Sequence, residues 1–501
     1  MPKSNRGRHE IESHNTHRQG DTRDAGPPDQ GSRWHLVILL ALAGLILFPS
    51  LTRGGLSGYD DALYAHEAKE MVRTGDYWNV EFNGHPNFEY PPMFLWLEAA
   101  SMNLLGVNDY AAKFPAALAG FGTILTLYFL ARELTGDVWV SAIAIFVLTT
   151  TQPFMKYAMH AMTDVPFTFF VTLGFFFYLK GLRQPAYCLA AGIPIGCAML
   201  TRSIMGAAPL GIIAMHLILT RRYRMLLSPH VLGGCFIALL LPLVWFGVQY
   251  QLHGDHSLTS HLAFISTKIV GTDNSWAPAL NVVTYVEALL KYYWPWLPLM
   301  AAGFAVQMWA AVRNRNSSSI FLVVWILLVI LPLSLVETKY GRYLMPIFPA
   351  LAIVSALSVR RWLPPQRRHA VFMSACAILA LVAAFTILFP ATERGLDMRK
   401  LAPIAESNSR SDERILIYTY GEAGYDYQNQ FLWYANRHSE LITDLDHLRT
   451  QLRQKTVAAG IIDKPSFDQL MGQLEPSVAR YIEVLAASES FICFRFNRTA
   501  G

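Results

Sequence analysis

Charge is what this sequence has least of: Asp, Glu, Lys and Arg make up only 15% of its 501 residues, against 53% hydrophobic. Soluble chains carry about a quarter of their residues as charges, so this one is too apolar for a soluble protein of its size. Its mean hydropathy of +0.28 agrees, and the bilayer is the expected solvent. Cysteine is scarce as well, with five in all. Cys188, Cys197, Cys235 and Cys376 lie inside apolar runs, where thiols serve as small buried hydrophobes, and Cys493 stands alone. No disulfide or zinc framework is visible. A Gly-x-Gly-x-x-Gly fingerprint and a Walker loop are both missing, which argues against a nucleotide cofactor, a nucleotide-sugar donor and ATP-driven transport. The net charge of +5 could suit nucleic acid. The Lys and Arg residues instead form short clusters between apolar runs, as in proteins oriented by membrane insertion, and nucleic-acid binding is not expected.

What the sequence does have is apolar runs near the roughly 20 residues needed to cross a bilayer. About eleven occur, at 34–51, 114–131, 138–155, 163–180, 186–201, 203–219, 231–250, 293–311, 319–336, 343–359 and 369–389. Residues 1–33 are polar without apolar periodicity, the composition of a disordered tail. The first run has no small-residue cleavage site and reads as a retained helix, with a cytoplasmic N-terminus. Alternate loops then hold Arg132, Lys180 with Arg183, Arg221 with Arg222 and Arg224, Arg313 with Arg315, and Arg360 with Arg361, as the positive-inside rule requires. An odd number of crossings leaves two long loops, 52–113 and 251–292, outside with a soluble segment at 391–501. That segment alternates as a strand from Arg414, looks helical near Phe431 and over Asp444–Lys455, and returns to strand at Phe491, so a small α/β domain is expected. In the second long loop, Val282, Val283, Val286, Leu289 and Leu290 have the spacing of an interfacial helix.

Four short segments carry candidate chemistry. In the first loop, Asp60 and Asp61 open a helix, where the macrodipole favours ionised carboxylates; simple capping explains them equally well. Glu89 follows between aromatics and the rigid pair Pro91-Pro92, and a plain turn is the alternative. Asp164 sits at the edge of an uncharged run, where a carboxylate costs roughly 2.5–3.5 kcal/mol and so needs a partner, a role or a terminal cap. Lys339 and Arg342 lie on the outside, where the positive-inside rule asks for no cations; they are candidates for holding a phosphate, unless they merely snorkel. Arg202, interrupting an apolar stretch, is a fainter case of the same kind. All these groups fall on one face of the expected topology, whereas unrelated caps and snorkels scatter over both. Acids to activate an acceptor, with cations to stabilise a departing phosphate, describe group transfer from a phosphate-activated donor.

At these residues the chain resembles the glycosyltransferase family 39 group of membrane GT-C enzymes, which includes protein O-mannosyltransferases and aminoarabinose transferases. The resemblance covers about residues 34–390. Asp60-Asp61-Ala-Leu-Tyr64-Ala65 is similar to the family's Asp-Glu-x-x-Tyr-Ala, Phe88-Glu89-Tyr90-Pro91-Pro92 to its Phe-Glu-Lys-Pro-Pro, and Thr163-Asp164-Val165-Pro166 to its second acidic site. Thr338-Lys339-Tyr-Gly-Arg342-Tyr343-Leu344-Met345-Pro346 is similar to Ser-Lys-x-x-Arg-Tyr-Leu-Leu-Pro. Asp61 replaces the usual Glu, while Tyr90 and Leu63 depart from the Lys and Arg common in aminoarabinose transferases.

The resemblance implies a GT-C fold of about eleven to thirteen helices and inverting sugar transfer from a polyprenyl-phosphate donor to a lipid, glycan or protein acceptor. It implies Asp60, Asp61 and Asp164 as catalytic, and Lys339, Arg342, Tyr343 and Arg202 as donor-phosphate ligands. Some relatives hold a divalent metal near the donor, which places such an ion here at Glu89 with His256 or His261. The expected setting is a bacterial inner membrane with the catalytic face periplasmic. The rival from another class is a secondary transporter or lipid-linked sugar flippase, whose charges usually sit at the midplane on broken helices.

Overall fold

The computed structural model describes residues 30–56, 59–271, 281–388, 396–418, 424–454 and 459–497. Most of the tail expected over 1–33 therefore lies outside the described residues, as do Gly58 and part of the second long loop. Helix α1 is Gln30–Ser50. The first loop then folds into α2 (Tyr59–Thr74), a two-stranded hairpin of β1 (Glu81–Phe82) and β2 (His85–Pro86), and α3 (Met93–Leu105).

The bundle continues with α4 (Asp109–Thr135), α5 (Val138–Thr149), α6 (Gln152–Ala158), α7 (Asp164–Gly181), α8 (Ala186–Arg202) and α9 (Ala208–Leu219). Helix ends follow side-chain chemistry. Asn108 caps α4 by accepting from Ala111 N, Gly136 ends it at φ 69°, and Asp137 caps α5 through Trp139 N and Val140 N. The one-turn α10 (Tyr223–Leu226) leads to α11 (Pro229–His253), α12 (Asp255–Val270) and α13 (Val283–Tyr292). The bundle closes with α14 (Leu297–Arg313), α15 (Ser317–Leu335), a 3-10 segment Gly341–Ile347, α16 (Phe348–Trp362) and α17 (Arg368–Leu388).

Among the described residues, six helices are long and apolar enough to cross a membrane, or seven if the pair α5 and α6, bent by 69°, is one span. Three shorter apolar helices accompany them. Fewer helices thus meet that test than the eleven apolar runs, because some runs are short or merged. Runs 186–201 and 203–219 join in one 34-residue stretch, Ala186–Leu219, interrupted only by a 3-10 turn. The interior is packed by aromatics, with Phe175 edge-on to Phe321 and to Trp325 at 5.2 and 4.7 Å between centroids. Large apolar side chains face outward on α11 and α17, among them Phe236, Leu243, Leu381 and Phe385. A water-exposed surface does not tolerate such a belt; lipid does.

Past α17 lie α18 (Leu396–Ser407), β3 (Ile415–Tyr418), α19 (Gly424–Tyr434), β4 (Ser439–Ile442), α20 (Leu445–Arg453), β5 (Ala459–Asp463), α21 (Lys464–Gln473), α22 (Pro476–Ala479), β6 (Ile482–Ala487) and β7 (Phe491–Phe496). The strands form one sheet in the order β4-β3-β5-β7-β6, with β3 parallel to both neighbours and β7 antiparallel to β5 and β6. This unit sits on α2. Lys69 reaches from α2 to donate to the carbonyls of Leu432, Trp433 and Ala435 at 2.6, 2.9 and 2.7 Å, where α19 ends. Asn83 and Ser439 exchange side-chain and backbone hydrogen bonds, both 2.9 Å.

Candidate functional site

Four charged residues from four separate segments meet at one end of the bundle as two ion pairs. Asp60, at the start of α2, receives a 2.7 Å bond from Arg342, and Asp164, at the start of α7, receives one of the same length from Arg202. The second pair is almost completely enclosed, with side-chain exposures of 9% for Arg202 and 2% for Asp164. Asp164 is therefore more than a helix cap: Thr163 holds the cap position without a side-chain bond, while the Asp164 carboxylate turns to α8. Asp60 likewise spends its Oδ2 on a residue far along the chain.

Local sequence sets each partner. Arg202 is the last residue of α8, where Ser203 adopts φ 45° and starts a 3-10 turn. The turn folds back so tightly that a Cβ on Gly206 would stand 2.3 Å from Met199 Cα, so only glycine permits it. Arg342 and Tyr343 lie on the 3-10 segment ahead of α16, whose Pro346 and Pro349 cannot extend a regular ladder backward. Tyr343 presents its ring to Arg202, 5.7 Å from the guanidinium, and Tyr340 presents its ring to Arg342 at 4.6 Å. Tyr64 and Tyr90 complete the wall, edge to face at 5.5 Å. Burial, with the negative field of Asp60 behind it, pushes both phenols above their ordinary range.

Among the described residues, three buried polar atoms in this cluster have no hydrogen-bond partner: Asp164 Oδ2, Arg202 Nε and Arg342 Nε. Buried polar groups are almost always paired, so an enclosed guanidinium with a spare N–H is a place suited to another anion.

The other predicted residues separate into neighbours and outliers. Asp61 is buried and accepts from the backbone N–H of Ala161 at 2.6 Å, tying α2 to the turn before α7. Glu89 is half-buried; burial raises its pKa, Lys268 opposes the rise and Asp60 adds to it. Lys339 gives its Nζ to the Val336 carbonyl at the end of α15, and among the described residues it makes no ion pair. A cation capping a helix C-terminus is the ordinary role that snorkelling implied. His261 uses both ring nitrogens on protein, Nδ1 with the Phe88 carbonyl at 2.7 Å and Nε2 with Ser203 Oγ at 2.9 Å. That arrangement anchors α12 and does not fit a metal ligand. No group of three or more His, Cys, Asp or Glu able to hold a metal occurs among the described residues.

Sequence reasoning passed over Glu67 and Glu98, two buried acids on the same side of the molecule. Glu67 accepts from Asn87 Nδ2 at 2.6 Å, and burial, reinforced by Glu89 and Asp60, raises its pKa to about 8. Neither residue stands in a motif; only the charge of an acid within an apolar helix pattern, as at Glu98 in α3, could have marked it.

Comparison with known proteins bears on this cluster. The family described as dolichyl-phosphate-mannose-protein mannosyltransferase matches residues 89–246. An undecaprenyl phosphate-alpha-4-amino-4-deoxy-L-arabinose arabinosyl transferase of Pseudomonas fluorescens is 28% identical over 331 residues, 64% of this chain and 59% of that protein. An uncharacterized protein of Aquifex aeolicus is also 28% identical, over 325 residues, 64% of this chain and 63% of that one. In sequence the chain is thus similar to aminoarabinose-transferase-like membrane glycosyltransferases.

Its fold is theirs too. ArnT of Cupriavidus metallidurans, solved with undecaprenyl phosphate bound, superposes with a TM-score of 0.73 at 16% identity, over 93% of this chain and 99% of that structure. The archaeal oligosaccharyltransferase AglB of Archaeoglobus fulgidus, with an inhibitory peptide and a dolichol-phosphate, gives 0.55 at 12% identity, over 94% and 75%. The chain is thus a polytopic helical membrane protein of GT-C fold. The aligned stretches span about six tenths of the length of the curated relatives.

Proposed function

We propose that this protein transfers a sugar from a polyprenyl-phosphate carrier to a lipid, glycan or protein acceptor at the extracytoplasmic face of a bacterial inner membrane. The observation that carries this reading is the paired cluster of Asp60 with Arg342 and Asp164 with Arg202, whose guanidinium groups keep unspent buried N–H donors. The arabinosyl transferase relative and the undecaprenyl phosphate in the ArnT structure support a donor of this class.

In the proposed step, the acceptor oxygen attacks the anomeric carbon while the bond from that carbon to the carrier phosphate oxygen breaks. The electron pair of the broken bond leaves with the phosphate. Arg342 and Arg202 stabilise the growing charge through fixed N–H donors that need no reorganisation, with Tyr343 holding Arg202 in place. If the acceptor is a hydroxyl, Asp60 takes its proton; if it is a phosphate, no base is needed and Asp60 orients Arg342. Asp61 ties the start of α2 to the turn before α7, and Asp164 ties the start of α7 to the end of α8. Lys339 spends one of its three N–H donors on the Val336 carbonyl and keeps the others for the donor phosphate.

The test is transfer from a radiolabelled polyprenyl-phosphate sugar in membranes carrying Asp60→Asn protein. Transfer should fall to background while the protein remains folded and inserted. Wild-type rates from the variant defeat the assignment of Asp60.

A further inference from the structure

Helices α9 and α15 both run away from the ion-pair cluster, and their far ends enclose a second polar cavity. Its volume is about 520 Å³, and it is lined by Leu219, Thr220, Arg221, Arg222, Arg315 and Ser317. Helix α15 has 19 residues, so this cavity lies on the order of 28 Å from the cluster, close to a hydrocarbon thickness away. On the topology proposed above, it opens at the cytoplasmic surface.

Two of its arginines occupy backbone positions that disfavour them. Arg221 has φ 59° and Arg315 has φ 50°, in the left-handed region usually given to glycine after a helix. Arg221 follows α9 in a closure where Arg222 N–H returns to the Leu217 carbonyl at 2.8 Å and Arg221 N–H to Ile218 at 3.0 Å. Arg315 follows α14 in a wider version, with Asn316 N–H bonded to the Ala310 carbonyl at 3.2 Å. Glycine would make either turn with less strain, so the side chains themselves must be what these positions need.

Their charge is also uncompensated. At the same end of the bundle Arg183 meets Glu133 at 3.2 Å and Arg360 meets Asp137 at 2.7 Å. Among the described residues, Arg221, Arg222 and Arg315 have no such acid. The cavity floor is fixed, because His216 on α9 bonds the Ser317 carbonyl and hydroxyl at 3.1 Å each. Leu219 of its lining is apolar and 46% exposed, and the chain segments on either side of the arginine pair carry further outward-facing apolar side chains, Ile218 and Leu227 at 41% and 73%. A free anion gains nothing from these side chains, whereas a lipid lays its acyl chains along them and its phosphate among the arginines.

We propose that Arg221, Arg222 and Arg315 bind the headgroup phosphate of an anionic membrane lipid at the face opposite the transfer site. Orienting charge alone does not require a cavity, two strained turns or a missing acid.

The test is native mass spectrometry of the detergent-purified full chain with dioleoyl phosphatidylglycerol or dioleoyl phosphatidylcholine at equal concentration. Wild type should retain phosphatidylglycerol preferentially. Arg221→Gly with Arg315→Gly should lower its occupancy roughly tenfold, at an unchanged or higher thermal midpoint because both turns relax. Arg222→Gln, at an ordinary φ of −93°, should show the same direction of loss without touching the turns. Equal retention by wild type and both variants overturns the proposal, as does equal retention of phosphatidylcholine. Displacement of the lipid by millimolar inorganic phosphate overturns it in favour of a free-anion site. Because the readout is binding, the result stands apart from whether Asp60 supports transfer.

Discussion

Arg342 and Asp60 lie 282 residues apart in the chain and 2.7 Å apart in the fold. The contact joins the segment ahead of α16 to the first turn of α2, so each residue holds the other in place, and on the proposed function this is where donor phosphate and acceptor meet. Removing either should cost transfer through both loss of charge and loss of position. Arg342→Ala and Asp60→Asn should each lower the initial transfer rate in proteoliposomes by roughly 10²-fold or more. The double variant should be little worse than the weaker single one, because residues acting as a unit are not additive. Strictly multiplicative losses would show two independent roles.

The pair of Asp164 and Arg202 makes a different prediction, because it is almost completely buried. Arg202→Met leaves a buried carboxylate without its cation, which costs about 3–5 kcal/mol when one partner of a buried pair is removed. Arg202→Met with Asp164→Leu removes both charges and should recover much of that loss. Thermal midpoints in detergent check this: the single variant should melt well below the double one. The reverse order would mean that Asp164 has other partners able to neutralise it.

The residues of the cluster were legible in the sequence, but their pairing was not. Asp60, Asp164 and Arg342 stood out because a charge beside an apolar run is expensive, and their order matched a family pattern. Arg202 stood out only faintly, yet it supplies the most buried cation of the site. Nothing in periodicity shows that α8 ends facing the start of α7, since that depends on the Gly206 turn and helix packing. Lys339 and His261 show the converse limit. Both sit in suggestive positions; His261 has both ring nitrogens bonded to protein, and Lys339 gives one N–H to the end of α15, contacts that sequence does not show. The docking of α19 on α2 left no trace in sequence, because Lys69 lies within an ordinary amphipathic helix and its partners are backbone carbonyls.

That docking is testable through Lys69. Its buried ammonium donates three bonds into the C-terminal end of α19, where the helix dipole favours a cation, and Trp433 and Tyr434 beside it bond Asp109 at 2.7 and 3.3 Å. Lys69→Met keeps the apolar stem and removes the charge, stranding three carbonyls. The interface should weaken by on the order of 3 kcal/mol. Limited proteolysis should then cut between α17 and α19 at lower protease concentration than in wild type. An unchanged cleavage pattern would mean that the contacts of Asn83 and Asp109 suffice alone.

Glu67 should give the molecule a pH dependence of its own. Its pKa of about 8 in the folded chain compares with 4.5 for an ordinary glutamate, so the folded state keeps the proton that the unfolded state releases. Below pH 4.5 both states are protonated and the contribution to stability is complete. As pH rises toward 8 the unfolded chain gains by ionising while the folded one does not, so stability falls across that window and levels off above it. The loss is on the order of a few kcal/mol for a shift of this size. Glu67→Gln keeps an oxygen to accept from Asn87 and cannot ionise, so it should flatten the slope without unfolding the protein. The same ionisation places a new negative charge near Glu89 and Asp60, so wild-type transfer should decline above pH 8 more steeply than that of Glu67→Gln. Thermal midpoints and transfer rates at pH 5, 7 and 9 for the two proteins decide it: parallel curves would mean that Glu67 is not the group that titrates.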